Sequence, residues 1–224
     1  MATHLVTGAG SGIGRLVAER LLERGDDLWL LARSPERAHD LRADFAGATV
    51  LVADLAWPES VESLELPGSL DSLVHAAGVI ELGSIADLSV EDWASQLRVN
   101  LVAPAALTRV ALAALRAARG TVVMVNSGAG LRAHPRWSAY AASKHGLRAL
   151  ADALRAEEQE RGVRVTSVYP GRTATPMQGK VHDQEGKTYA PDAWIDPGTV
   201  ADAILHVLDL PRDASISDLT IRPT

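Results

Sequence analysis

Seven short, predominantly apolar runs recur between longer helix-like stretches: His4 to Thr7, Asp27 to Leu31, Thr49 to Ala53, Ser72 to Ala76, Thr121 to Val125, Val163 to Tyr169 and Ile216 to Ile221. Continuous rather than alternating apolarity is what a parallel strand needs when helices cover both faces of its sheet. The intervening segments carry helix signals. Gly14 to Arg24 puts Leu16, Val17, Leu21 and Leu22 on one stripe and stops at Gly25. Ser34-Pro35-Glu36 and Asp196-Pro197 are cap-and-proline starts, and Ser89 with Asp92 resembles a capping box. Long Ala/Leu-rich helices are expected from about Asn100 to Ala118 and from Tyr140 to Glu160, ending at Gly120 and Gly162. Strand and helix alternate over the whole length, which predicts an α/β fold: one doubly wound, seven-stranded parallel sheet in a single domain spanning residues 1–224. Residues 176–196 lack clear periodicity and are expected to form a substrate-binding loop.

Composition narrows the chemistry. The 224 residues contain no Cys, which removes disulfides, thiol nucleophiles and thiolate metal sites and is compatible with the expected cytoplasmic location. A formal charge of −6 argues against a nucleic-acid partner. Met1 to Gly14 carries no basic-then-apolar export signal, and runs such as Leu28 to Ala32 and Val50 to Ala53 fall far short of the ~20 residues that cross a bilayer, so no membrane partner is expected.

Thr7-Gly8-Ala9-Gly10-Ser11-Gly12-Ile13-Gly14 joins the first strand to the first helix. A loop in that context can bring its backbone against a pyrophosphate and aim a helix N-terminus at it, whereas side chains would obstruct the approach. The spacing is T-G-x-x-x-G-x-G rather than G-x-G-x-x-G. About 20 residues on, where an acid would grip the ribose 2′-hydroxyl of NAD, stands Ala32-Arg33-Ser34. A guanidinium at Arg33 favours the 2′-phosphate of NADP; the alternative is a solvated loop arginine in an Arg-rich chain. Tyr140-Ala141-Ala142-Ser143-Lys144 places a phenol and an ammonium one helical turn apart. With three Tyr and three Lys in the chain, such a pair arises by chance only about 0.04 times. A nearby cation is expected to lower the phenol from its usual ~10 by ~1–3 units. Ser127, in Asn126-Ser127-Gly128-Ala129-Gly130, can donate to an oxyanion, although a Ser-Gly pair also marks ordinary turns.

Together and in this order, these motifs resemble the compact short-chain dehydrogenase/reductase family over nearly the whole chain. The resemblance implies an adenine contact at Asp54, followed by Leu55, and a fourth-strand signature at His75-Ala76-Ala77-Gly78. It also implies a proton-relay support at Asn100, a catalytic set of Ser127, Tyr140 and Lys144, and a nicotinamide-side segment at Pro170-Gly171-Arg172-Thr173-Ala174-Thr175. Cofactor contacts are accordingly expected at Gly8, Ser11, Gly12, Ile13, Gly14, Arg33, Asp54, Leu55, Ala76, Ala77, Gly78, Asn100, Tyr140, Lys144, Pro170, Gly171, Thr173 and Thr175. No metal is expected. Two features depart from the family pattern. His75 stands where Asn is usual and reads as a satisfied core histidine, and Ser217 to Thr224 lacks the Gly-Gly tail of acyl-carrier-protein ketoreductases.

The expected activity is NADP(H)-dependent hydride transfer to or from a small carbonyl or secondary alcohol, with Tyr140 as general acid/base. The rival from another class is a non-catalytic NADP-binding sensor on the same fold. Leu131 to Ser138 and the 176–196 segment are expected to wall the substrate pocket with Arg132, Arg136, Trp137, Met177, Tyr189 and Trp194. Small residues such as Ala106, Ala113, Ala149 and Ala153 on the two long helices, together with the family habit of pairing them, imply a homodimer or homotetramer.

Overall fold

The computed structural model describes all 224 residues, Met1–Thr224. Seven strands, β1 (Thr3–Thr7), β2 (Asp27–Ala32), β3 (Thr49–Val52), β4 (Ser72–His75), β5 (Thr121–Val125), β6 (Arg164–Pro170) and β7 (Asp218–Ile221), form one sheet in the order β3-β2-β1-β4-β5-β6-β7. Every neighbouring pair is parallel. All seven expected strands are present, with ends moved by a residue or two.

The pleat explains why the central strands carry apolar residues at consecutive positions. Along β1, β4 and β5, Val6, Val74 and Val123 bury toward one face, while Leu5, Leu73, Val122 and Met124 bury toward the other. The first face is covered by α1 (Gly12–Glu23), α2 (Pro35–Asp44) and α7 (Pro197–Leu208), the second by α4 (Ala103–Ala118) and α5 (Ser138–Glu158). The chain reverses its direction of winding between β1 and β4, and in open α/β sheets the crevice outside such a switch point takes ligands.

The caps follow the sequence closely. Ser34 Oγ accepts from the Arg37 amide at the start of α2. Ser89 and Asp92 form a reciprocal capping box at the start of α3 (Val90–Leu97), and Asp196 Oδ1 accepts from Gly198 N at the start of α7. Three expectations are corrected. The long central helix does not begin at Asn100: it starts at Val90 and reaches Ala118 through a π-helical turn at Arg98–Val102, which carries Asn100 on its buried side. Arg119 rather than Gly120 takes the left-handed conformation (φ 52°) after α4, where Arg212 donates to the Arg119 and Ala118 carbonyls. Residues 176–196 are not an irregular loop. Thr175 caps a further helix, α6 (Pro176–Glu185), with proline at its first position, and only the remainder is turn-like. The Val90–Ala118 helix is long and apolar enough to cross a membrane by length and composition, but Leu107, Ala111, Ala114 and Leu115 use its apolar stripe in the core.

His75 ends β4 fully buried, with Nε2 2.9 Å from Thr108 Oγ1 on α4. It is the satisfied core histidine expected. Burial, aided by the charge on Lys144, pushes it down to about 3. The unfolded chain therefore takes up a proton below pH ~6.5 that the folded chain refuses, so stability falls as pH drops from there toward about 3. The melting temperature of the wild type should fall more steeply between pH 6.5 and 4 than that of His75→Asn, by the equivalent of roughly 3 kcal/mol. Parallel melting curves across that range would remove His75 as the acid-sensitive group.

Candidate active site

The site is assembled at the C-terminal ends of the strands. Thr7, the last residue of β1, accepts from the Ala76 and Ala77 amides at 3.1 Å each, which ties the loop after β4 to the loop after β1. The backbones approach so closely that a Cβ on Gly8 (φ 74°) would stand 2.7 Å from Ala77 N, and one on Gly14 would stand 2.6 Å from the Gly8 carbonyl oxygen. Only glycine fits at either place. The loop leads into α1, which has no acid in its first turn and no side chain capping it. Its positive end is left for an anion, and Ser11, Gly12, Ile13 and Gly14 line a cleft of about 1180 Å³. A nucleotide pyrophosphate fits this cradle in charge and in the space the missing Cβ atoms leave.

At one end of the cleft, Arg33 follows β2 and forms no ion pair, while Asp54 and Leu55 line the wall after β3. Asp54 Oδ1 accepts from Ala56 N at 3.0 Å. A second guanidinium joins Arg33: Arg37, in the first turn of α2, lies 3.1 Å from where a Gly10 Cβ would stand and also lines the cleft. Arg37 went unnoticed in the sequence, where only its four-residue spacing from Arg33 signals a shared face.

Ala76, Ala77, Gly78, Pro170, Gly171, Thr173 and Thr175 line the middle of the same cleft, as do Ser127, Tyr140 and Lys144. Of the expected catalytic and cofactor residues only Asn100 does not. Its side chain accepts from Val79 N (2.9 Å) and donates to the Val79 carbonyl (2.9 Å) and Ser143 Oγ (3.0 Å). Ser143 in turn donates to the Tyr140 carbonyl at 2.7 Å. Asn100 thus clamps the segment after β4 to the helix that carries Tyr140. Asn126 makes a second clamp, accepting from Ser127 N at 2.9 Å and donating to the Lys144 carbonyl at 3.1 Å. The sequence places Asn126 beside Ser127 but gives no sign of its reach to α5.

Lys144 Nζ donates to the Val125 carbonyl at 3.0 Å and lies 5.8 Å from the Tyr140 ring centroid. Ser127 Oγ accepts from Ala129 N at 3.1 Å. The expected acidification of the phenol is not what the structure shows. Burial pushes Tyr140 up to about 12, with a hydrogen bond from Ser127 opposing, and burial also brings Lys144 down to about 8. Desolvation dominates the shift of the phenol, and the ammonium donates to the Val125 carbonyl. At neutral pH the phenol is a held proton.

On the substrate side, Arg132, Trp137 and Met177 line the cleft as expected, while Arg136, Tyr189 and Trp194 do not. Arg136 adopts a left-handed conformation (φ 68°), and its carbonyl accepts from Gly83 N. Tyr189 and Trp194 stack on His182 of α6, at 5.1 and 5.3 Å between ring centroids. Arg172, within the segment expected on the nicotinamide side, lines the cleft against both Trp137 and Trp194 and pairs with Glu185 at 2.6 Å.

The short chain dehydrogenase family model matches residues 2–186. An uncharacterized oxidoreductase of Staphylococcus epidermidis is 27% identical over 98% of this chain and 96% of its own. An alcohol dehydrogenase from the archaeon Thermococcus sibiricus, solved with 5-hydroxy-NADP, superposes with a TM-score of 0.84 at 28% identity, covering 100% of this chain and 97% of that one. A 4-hydroxyisoleucine dehydrogenase solved with NADH also gives 0.84, at 27% identity, covering 100% of this chain and 98% of that one. Family match, sheet order and glycine cradle agree, and the chain belongs to the short-chain dehydrogenases, as a nucleotide-binding oxidoreductase of that family.

Proposed function

We propose that the protein is an NADP(H)-dependent oxidoreductase that interconverts a small carbonyl compound and its secondary alcohol. The observation that carries this reading is the meeting of Ser127, Tyr140 and Lys144 in one cleft with the glycine cradle and the Arg33–Arg37 pair. The nicotinamide, when bound, supplies or accepts the hydride. Gly8 to Gly14 hold the pyrophosphate, and Arg33 and Arg37 take the 2′-phosphate through charge-assisted bonds. Structures of this fold holding NADP analogue or NADH show that the fold itself admits either coenzyme, so the choice rests on such local charges.

In reduction, the buried phenol of Tyr140 donates its proton to the carbonyl oxygen, and Ser127 donates a hydrogen bond to the same oxygen as negative charge builds there. Lys144, still largely an ammonium at pH 7, stabilises the phenolate left behind. Trp137 packs edge-on against Tyr140 at 5.9 Å and limits its swing. Asn100 positions the catalytic helix, with its side-chain bonds already taken. We also assign the protein to the cytoplasm and to a homo-oligomer formed through the outer faces of α4 and α5, where Ala113, Ala149 and Ala153 are exposed.

Two experiments test this reading. Titration of the purified protein, followed by fluorescence transfer to the reduced nicotinamide, should show tighter binding of NADPH than of NADH. Arg33→Ala and Arg37→Ala should each weaken NADPH about ten-fold and leave NADH within about two-fold. Equal affinities in the wild type would sink the coenzyme assignment. In a carbonyl-reduction screen, Tyr140→Phe should lower kcat at least about 100-fold with NADPH affinity nearly unchanged, and a variant that keeps its turnover would show that the proton comes from elsewhere.

A further inference from the structure

The cleft carries more positive charge on its substrate side than the proposed chemistry uses. Three arginines line that side, Arg132, Arg172 and Arg222, against a single acid, Glu185. Glu185 is taken by Arg172 and Lys187, at 2.6 and 3.1 Å. Arg132 and Arg222 form no ion pair and no side-chain hydrogen bond. Many other arginines meet an acid, as in Arg20–Asp202, Arg24–Asp209 and Arg116–Glu158, whereas these two guanidinium groups, like that of Arg33 at the other end of the cleft, meet none.

Both residues meet the turn at Gly128, the residue after Ser127, Arg132 through its backbone and Arg222 through its guanidinium. The Arg132 amide donates to the Gly128 carbonyl at 3.1 Å, which closes the turn that starts at Ser127. Arg222 follows β7, the edge strand beside β6. Ile221 pairs with Pro170 in the β6–β7 register, and its carbonyl accepts from Gly171 N at 2.8 Å. Pro223 Cδ packs 2.9 Å from where a Gly171 Cβ would stand. Held on both sides, Arg222 lays its guanidinium 2.8 Å from the position a Gly128 Cβ would occupy. A side chain there would push it away, so the glycine beside the proposed oxyanion donor keeps room for the cation.

We propose that Arg222 and Arg132 receive an oxyanion on the substrate, so that the preferred substrates are small oxo acids or phosphorylated carbonyl compounds and the corresponding hydroxy compounds. The proposal rests on the carbonyl-reductase reading above and adds the substrate's charge to it. A guanidinium fork meets a carboxylate or a phosphate through two parallel bonds, and a cleft with low-dielectric walls concentrates anions before they dock. Neutral esters forgo both effects.

The test compares 2-, 3- and 4-oxo acids of four to six carbons with their methyl esters, and dihydroxyacetone phosphate with dihydroxyacetone, using NADPH. The charged member of a pair should show kcat/KM at least ten-fold higher, through KM, and that advantage should shrink as ionic strength rises. Carboxylate and phosphate pairs report separately which anion is taken. Arg222→Ala and Arg132→Ala should each raise KM for the charged substrate about ten-fold with KM for its neutral partner and Kd for NADPH unchanged; Arg222→Lys should restore part of the loss. The proposal is overturned if neutral compounds are used as well as charged ones, if the variants affect both alike, or if Arg222→Ala weakens NADPH instead. Equilibrium binding of the hydroxy acid and its ester to Tyr140→Phe with NADP+, followed by tryptophan fluorescence, separates the two readings. Selective acid binding without turnover in the wild type would end the carbonyl-reductase reading and leave this one standing, and failure of both ligands to bind would end this one.

Discussion

The contact on which the site depends is the one between the ends of β1 and β4. A single hydroxyl, Thr7 Oγ1, accepts from two consecutive amides, Ala76 and Ala77, where the sheet reverses its winding. Two backbones are brought together there with no room for a Cβ at Gly8, and the first turn of α1 settles onto the same loop through Gly14. Buried amides need partners, and a strand-end threonine supplies them without the bulk that would keep the loops apart. The opening of the cleft, the exposure of the α1 N-terminus and the path of the chain toward Val79 all follow from that junction.

A second layer of polar contacts holds Ser127, Tyr140 and Lys144 in place. Asn100 joins the Val79 backbone to Ser143, and Asn126 joins Ser127 to the Lys144 carbonyl. Each amide side chain spans from a loop to α5, so the helix bearing Tyr140 and Lys144 is fixed relative to Ser127 by buried hydrogen bonds with defined geometry rather than by apolar packing alone. Such bonds cost little when complete and a great deal when broken. The π-helical turn before α4 serves this layer, because it is there that Asn100 departs from the helix's regular stripe.

Charge is distributed along the cleft to a pattern. Cations stand at both ends, Arg33 and Arg37 at one and Arg132 and Arg222 at the other, with a buried phenol and a lysine between them. Desolvation raises the phenol and lowers the ammonium in this arrangement, and the ammonium donates to the Val125 carbonyl. A protonated tyrosine beside a cation of moderate basicity is suited to giving up a proton only when a stronger base is created next to it, as happens when a carbonyl becomes an alkoxide.

Local pattern determined a large part of this protein. Runs of apolar residues marked all seven strands, Ser34, Ser89 and Asp196 marked helix starts, and the order of glycine loop, serine, tyrosine and lysine brought the main side chains of the cleft into view, because caps, periodicity and i,i+4 spacing act within a few residues. Features that depend on distant partners were not legible. The helix from Val90 runs on through Asn100, whose side chain meets Val79 and Ser143, and residues 176–185 are helical from the Thr175 cap although their polar composition carries no stripe. The direction of the Tyr140 shift was hidden as well, since spacing reports that a cation is near but not how deeply the phenol is buried. Arg222 is the clearest case. In the sequence it is one arginine among many, 95 residues from Ser127. Only the register of β7 on β6 sets its guanidinium over Gly128, and only the whole fold decides that no acid meets it there.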